Sequence, residues 1–148
     1  MAIDLVGHCL CGAVTVAVSA AHDPRVGACH CRMCQRWSGG LFLSFNAKAG
    51  AVTVTGAVAR HASSTFAERA FCPVCGSHLW MRDLESGDYD LMPGLFDAAK
   101  DWPVRSEIYT DQAMAAVALE GSHTRATAAE YEAMNPHVSA NPAQGDQP

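Results

Sequence analysis

The residues best equipped for chemistry in this chain are its cysteines. Cys29-His30-Cys31-Arg32-Met33-Cys34 places three thiols and an imidazole within six residues, between Cys9-Leu10-Cys11 upstream and Cys72-Pro73-Val74-Cys75 downstream. Thiolates at this density are soft ligands suited to zinc. Zinc that only holds a fold takes four protein ligands, whereas zinc that reacts keeps three and leaves one position open. Seven cysteines divide naturally as four plus three. In an extended segment residues i and i+2 point to the same side, so Cys9 with Cys11, and Cys29 with Cys31, can each face one ion. Cys72-x-x-Cys75 has the spacing of a zinc knuckle. Two partitions satisfy this geometry. Cys9 and Cys11 can join Cys72 and Cys75, leaving Cys29, Cys31 and Cys34 as a compact triple; or Cys31 and Cys34 can join Cys72 and Cys75, stranding Cys9, Cys11 and Cys29. The first is preferred, because a contiguous triple can wrap one ion without help from distant chain.

Three thiolates on Zn2+ leave a net charge of −1 and an open position, where an arriving thiol would be deprotonated and held as a nucleophile. A zinc-bound water facing a different electrophile is one alternative. A second, purely structural zinc completed by His30 or by a distant ligand is another. His30 lies between two ligands and points away from the ion if both face it, so it reads as a core residue or as a support for its neighbours. Arg32, Arg36 and Arg69 flank cysteine ligands and could hold substrate carboxylates or donate to sulfur; ordinary solvated arginines are the plain alternative. Asp97, in the loop after Gly94, is a candidate to line the site, against the turn role that loop aspartates usually play. Ser77 reads as bonding within the knuckle, and Trp37, Trp80 and Trp102 as packing. His8, His61, His78, His123 and His137 have no spacing that joins them to the cysteines and receive no role.

The elements that must position these residues read as short strands. Residues 12–20 alternate Val14, Val16 and Val18 against Ala13, Thr15 and Ala17, which is a strand. Ala21 to Pro24 is a turn, and the cysteine triple follows it, at the end of one element and the start of the next. Leu41–Phe45 and Ala51–Thr55 are two more strands, separated by a turn at Lys48–Gly50. Phe66–Phe71 leads into Cys72 and Ser77–Met81 leads out of Cys75, with Gly76 where a tight turn needs positive φ. Tyr89–Met92 and Glu107–Thr110 are further strands. Thr127-Ala-Ala-Glu130 has the form of a capping box for a short helix through Met134. The expected fold is mainly β, one domain over residues 1–134 with a flexible C-terminal tail over 135–148, where Pro136, Pro142, Gly145 and Pro148 gather.

Composition agrees with a folded domain: 148 residues, 49% of them apolar and 17% charged, enough to bury a core without disulfides. A net charge of −5 provides no basic stripe, so no nucleic-acid partner is expected. The N-terminus lacks a secretion leader and no apolar run spans a membrane. The expected location is therefore cytoplasmic, where grouped cysteines act as metal ligands or catalysts rather than as disulfides.

Gly7-x-Cys9-x-Cys11-Gly12-Ala13-Val14, then Cys29-His30-Cys31-x-x-Cys34 with Gly39 and Phe42, then Arg69-x-Phe71-Cys72-x-x-Cys75-Gly76-Ser77-x-Leu79 resemble the glutathione-dependent formaldehyde-activating enzyme family, whose domain is shared with centromere protein V. The likeness runs from about Gly7 to Tyr109. It implies an Mss4-like fold of short antiparallel strands with a short C-terminal helix. It implies two zinc ions per chain, a structural one on Cys9, Cys11, Cys72 and Cys75 and a catalytic one on Cys29, Cys31 and Cys34. The activity implied is that of a carbon–sulfur lyase adding glutathione to formaldehyde, or to a related small electrophile, to give S-(hydroxymethyl)glutathione. On that reading Arg32, Arg36, Arg69 and Asp97 are the candidates to hold the substrate. Because thiols add to formaldehyde unaided, a non-catalytic zinc module that carries glutathione or contacts a protein partner is the alternative, and a homodimer is left open. The chain departs from the family in two places. Leu95-Phe96-Asp97-Ala98 stands where members often carry Leu-Asp-Asp, and no tryptophan occurs from Thr110 to Leu119.

Overall fold

A computed structural model describes residues 5–19 and 21–139. Residues 1–4, Ala20 and residues 140–148, with parts of the expected leaderless N-terminus, first strand and tail, lie outside the described residues. The strands are β1 (Leu5–His8), β2 (Thr15–Val18), β3 (Val26–Cys29), β4 (Phe42–Ala47), β5 (Val52–Thr55), β6 (Ala59–Ala62), β7 (Ala67–Phe71), β8 (His78–Asp83), β9 (Tyr89–Leu91), β10 (Val104–Ile108) and β11 (Thr124–Ala126). The helices are α1 (Arg32–Ser38), α2 (Ala128–Met134) and α3 (Pro136–Ser139), joined by short 3-10 turns. No helix among the described residues is long and apolar enough to cross a membrane. The sequence suggested one domain through residue 134; the described chain gathers into two compact units. Residues through Arg25 and from Ser44 to Trp102 form the first, and residues from Val26 to Leu43 and from Pro103 onward form the second.

The first unit is antiparallel throughout. β2 lies between β1 and β5, and the expected alternation holds: Val14, Val16 and Val18 are each 0% exposed. A second ladder pairs β4 with β9, β9 with β8, β8 with β7 and β7 with β6. Phe45, Leu79, Trp80 and Leu91 fill the core, together with the buried thiols of Cys9 and Cys72. Each large apolar side chain so buried contributes roughly 1.5–3 kcal/mol. β7 and β8 are the strands expected on either side of the knuckle. The turn between them closes through Cys72 N–H to Ser77 O and Gly76 N–H to Cys72 O, both 2.9 Å, with Gly76 at φ 76° as its spacing required. Gly7 of β1 answers to a different demand, since a Cβ there would come within 2.7 Å of the Leu95 carbonyl and the Phe96 ring.

The second unit departs from the antiparallel expectation. β10 pairs in parallel with β3 on one side and with β11 on the other. Parallel neighbours need a crossover of a dozen or more residues; long stretches of chain separate β3 from β10, and the segment between Ile108 and Thr124 joins β10 to β11. Such pairing is invisible to local alternation, which reports a strand but not its neighbour. The capping box is present as expected: Thr127 Oγ1 accepts from Glu130 N–H at 3.3 Å and Glu130 Oε2 accepts from Thr127 N–H at 2.8 Å, opening α2. The segment after Asn135 continues as the single turn α3, with Val138 buried at 4% exposure.

Candidate metal centres

In the first unit, Cys9 follows β1, Cys11 sits in the turn toward β2, Cys72 follows β7 and Cys75 lies in the knuckle. Their four sulfurs all lie within 4.8 Å of one another, with Cys9 to Cys11 at 3.6 Å and Cys11 to Cys72 at 3.8 Å. A tetrahedron with metal–sulfur bonds of about 2.3 Å has edges of about 3.8 Å. The set thus has the donor type and spacing of a closed zinc site. Backbone and hydroxyl donors hold the sulfurs: Val14 N–H to Cys9 Sγ at 3.3 Å, Val74 N–H to Cys72 Sγ at 3.4 Å, and Ser77 Oγ beside Cys75 Sγ at 3.1 Å. Ser77 also accepts from Leu10 N–H at 3.0 Å, tying the two cysteine turns together, so it works within the knuckle as expected. These contacts set Cys75 and Cys11 apart in acidity. Ser77 lowers Cys75 to about 5. At Cys11 a backbone bond from Ala13 favours the thiolate, but burial and the other three sulfurs push it up to about 11. Four thiols this close cannot all ionise without a cation among them.

In the second unit, Cys29 is the last residue of β3, Cys31 is the N-cap of α1 and Cys34 lies one turn into that helix. This is the end of one element and the start of the next. Cys31 stays extended, at φ −62° and ψ 156°, and its sulfur accepts from Cys34 N–H at 3.4 Å, so one thiol both caps the helix and faces its neighbours. The three sulfurs lie within 4.8 Å of one another, and among the described residues these three are the ligand atoms that gather there. The Cys31 and Cys34 sulfurs, then burial, push the Cys29 thiol well above its ordinary value. This set too could hold a cation. Of the two partitions open in the sequence, the structure assembles the preferred one.

His30 is 2% exposed and does not complete the triple. Its Nε2 lies 2.7 Å from Glu107 Oε1, while its N–H donates to Ile108 O at 3.1 Å and its carbonyl accepts from Gln35 Nε2 at 2.6 Å. His123, which the sequence left without a role, meets the other carboxylate oxygen of Glu107 through its Nε2 at 2.6 Å. Tyr109 is the one non-glycine residue with positive φ among those described, at 57°; it is buried and its hydroxyl donates to Glu132 Oε1 at 3.0 Å. Burial, Glu132, and the sulfurs of Cys31 and Cys29 together hold its hydroxyl far above the usual tyrosine range, which places its ring in the field of the triple.

Arg32 and Arg36 lie one turn apart on α1, both exposed, and line a cavity of about 660 Å³ with Gln35, Gly39, Gln112 and Met114. Gln35 Nε2 also donates to Gln112 O at 2.8 Å, which fixes the far wall to the helix. The two arginines were legible as neighbours of ligands; Gln112 and Met114 carried no signal, because only the turn at Tyr109 brings their segment back to α1. Arg69 and Asp97 belong to the first unit. Arg69 is 4% exposed on β7; burial, and then the charge of Arg69, lowers the pKa of His78. Asp97 is exposed and lines a smaller cavity, of about 390 Å³, with Pro93, Gly94, Phe96, Ala99 and Lys100. Trp80 and Trp102 pack in the first unit's core, Trp102 edge-on to Phe45 at 4.9 Å, and Trp37 packs on Phe42 at 6.1 Å.

Comparison with known proteins places this arrangement. The family described as glutathione-dependent formaldehyde-activating enzyme matches residues 4–112. An uncharacterized lyase of Schizosaccharomyces pombe is 36% identical over 75 residues, covering 50% of this chain and 54% of that protein. A Halomonas elongata protein, provisionally named a glutathione-dependent formaldehyde-activating enzyme, is 33% identical over 88 residues, covering 53% of this chain and 56% of that one. The chain thus spans about half the length of the curated relatives it matches. A crystal structure of a Rhodobacter sphaeroides protein superposes with a TM-score of 0.50 at 21% identity, over 68% of this chain and 99% of that one, a likeness of fold.

Proposed function

The chain belongs to the glutathione-dependent formaldehyde-activating enzyme family, and we propose that it is a zinc-dependent carbon–sulfur lyase that joins the thiol of glutathione to formaldehyde or a related small electrophile. The observation that carries this reading is the difference in donor count between two otherwise alike cysteine sets, four in one unit and three in the other. On this reading Cys9, Cys11, Cys72 and Cys75 hold a structural zinc, and Cys29, Cys31 and Cys34 hold a second zinc with a position left for substrate. A zinc ion bound by three thiolates would supply a Lewis acid that lowers the pKa of an arriving thiol.

The chain's own residues do the rest. His30, engaged by Glu107 at 2.7 Å, is kept from filling the vacant position. Arg32 and Arg36 present two guanidinium groups across one helical turn, matched to the two carboxylates of glutathione, and Met114 offers an apolar wall to its backbone. Held there, the sulfur reaches the carbonyl carbon of formaldehyde as an intramolecular reaction would. The sulfur's lone pair forms the carbon–sulfur bond, the carbonyl π pair moves to oxygen, and that oxygen takes up the proton the thiol released. The product is S-(hydroxymethyl)glutathione with no other co-reactant, and the reverse path breaks the same bond. Arg69 and Asp97 are given no step.

NMR exchange spectroscopy on glutathione and formaldehyde tests the proposal. Substoichiometric protein should accelerate exchange between free and hydroxymethylated glutathione. An exchange rate unchanged by stoichiometric protein, with glutathione binding still measurable, would mean carriage rather than turnover.

A further inference from the structure

Next to the three-cysteine set, on the strand paired with β3 and against His30, lies a buried polar cluster that the reaction above does not use. Glu107 of β10 is 6% exposed. Its Oε1 meets His30 Nε2 at 2.7 Å, and its Oε2 meets His123 Nε2 at 2.6 Å and Arg125 Nε at 3.1 Å. The parallel register sets Glu107 opposite Ala28 and Ile108 opposite Cys29, so the carboxylate stands directly beside the strand that delivers the first ligand. Burial alone would raise its pKa. The hydrogen bonds from His123 and His30, with the charges of His30 and Arg125, outweigh burial and keep it ionised.

Packing does not explain this arrangement. A buried charge cluster is seldom more stabilising than apolar residues of the same volume, and removing one partner is costly. The location of the cluster does suggest a role. Residue 30 is the only spacer between two ligands, and it is fixed at every polar group that has an assigned partner: its N–H by Ile108 O, its carbonyl by Gln35, its ring by Glu107. Two ligands separated by one immobilised residue have a fixed bite. Residues that orient ligands from behind typically change metal affinity 10–100-fold when mutated. The four-cysteine set is held by backbone N–H groups and Ser77 acting on the sulfurs themselves, as Cys34 N–H acts on Cys31 Sγ in the triple, where the His30–Glu107 contact is a further support.

We propose that Glu107 is a positioning residue for the three-cysteine site, holding His30 so that Cys29 and Cys31 keep the spacing of a metal-binding pair, with His123 and Arg125 holding Glu107 in turn. The inference rests on the reading that this set binds a metal, and cadmium-113 NMR tests the two separately. The wild type loaded with cadmium should give two resonances, one for each set. A single resonance with a four-sulfur shift would sink the metal reading and this proposal with it. Given two, competition with a chelator should show Glu107→Gln weakening the three-sulfur site about tenfold and moving its resonance, while the four-sulfur site changes less than twofold. His30→Asn should do the same, and the double variant should lose about tenfold rather than the hundredfold of independent effects. Equal weakening at both sites, no weakening, or additive losses would each overturn the proposal. If Glu107→Gln does not fold, His123→Ala, which removes one donor and leaves the carboxylate, should give a shift of about threefold confined to the same resonance; its absence would be equally decisive.

Discussion

The two cysteine sets differ more in what surrounds them than in the sulfurs themselves. The four-sulfur set is part of a hydrophobic core: Cys9 and Cys72 are 0% exposed and pack with Val14, Leu79 and Trp80. Its supports are hydrogen bonds from backbone and Ser77 to sulfur. The three-sulfur set sits where a strand meets a helix, with an arginine-lined cavity along that helix and a buried carboxylate cluster next to it. Apolar packing around a complete donor set makes a site that stays closed. Polar supports stand around the set of three. On the proposed function, one ligand chemistry would serve as a structural element in one unit and as a reactive one in the other.

The strongest way to break the comparison is to damage the closed set. Cys72→Ser removes a sulfur at the centre of the first unit, and structural zinc sites supply on the order of 10 kcal/mol of folding free energy. Circular dichroism and metal analysis should show a chain that neither folds cooperatively nor holds two metals. A folded Cys72→Ser protein would mean the closed set is not structural. Cys31→Ser should behave in the opposite way. Serine keeps the N-cap bond to Cys34 N–H, which is worth about 1 kcal/mol, but removes the thiolate. Metal content should fall from two to one per chain and the acceleration of glutathione exchange should disappear, with the thermal midpoint moving by only a few degrees. Unfolding of this variant would erase the distinction between the sets.

Smaller changes sharpen it. Replacing Arg32 and Arg36 together by Gln should raise the KM for glutathione roughly 10–100-fold, as expected for lost charge-assisted hydrogen bonds, with both metals retained; unchanged kinetics would move the substrate elsewhere. The smallest effect is expected from acid. Glu107 has its folded-state pKa lowered, so its contribution to stability is present above the unfolded glutamate value of about 4.3 and lost as pH falls through the folded one. The stability gap between wild type and Glu107→Gln, from denaturant unfolding, should therefore be full above about pH 4.3 and shrink on further acidification. A gap that grows with acid would show that Glu107 is not ionised in the folded protein.

Much of this was legible in sequence because it is local. The period-2 valines of β2, the knuckle turn with Gly76 and the capping box of Thr127 and Glu130 each depend on residues within a few positions of one another. So did the preferred division of the cysteines, since a six-residue triple needs no distant partner. What was missed depends on pairing between distant segments. His123 had no spacing that linked it to a cysteine, and Glu107 was one polar residue in a short strand; only the parallel register of β10 with β3 and β11 brings Glu107 to His30 and His123 to Glu107. Gln112 and Met114 reach the cavity because Tyr109 takes a left-handed conformation that no residue type there announces.

The sequence by itself determined the ligand chemistry, because which side chains can bind a soft cation, and which lie close enough along the chain to do so together, are properties of residue type and spacing. The tertiary structure decided how each set is held. A carboxylate buried between two imidazoles, or a cavity wall built from a segment far along the chain, exists only once strands have chosen their neighbours, and that choice is made by long-range packing that local sequence does not encode.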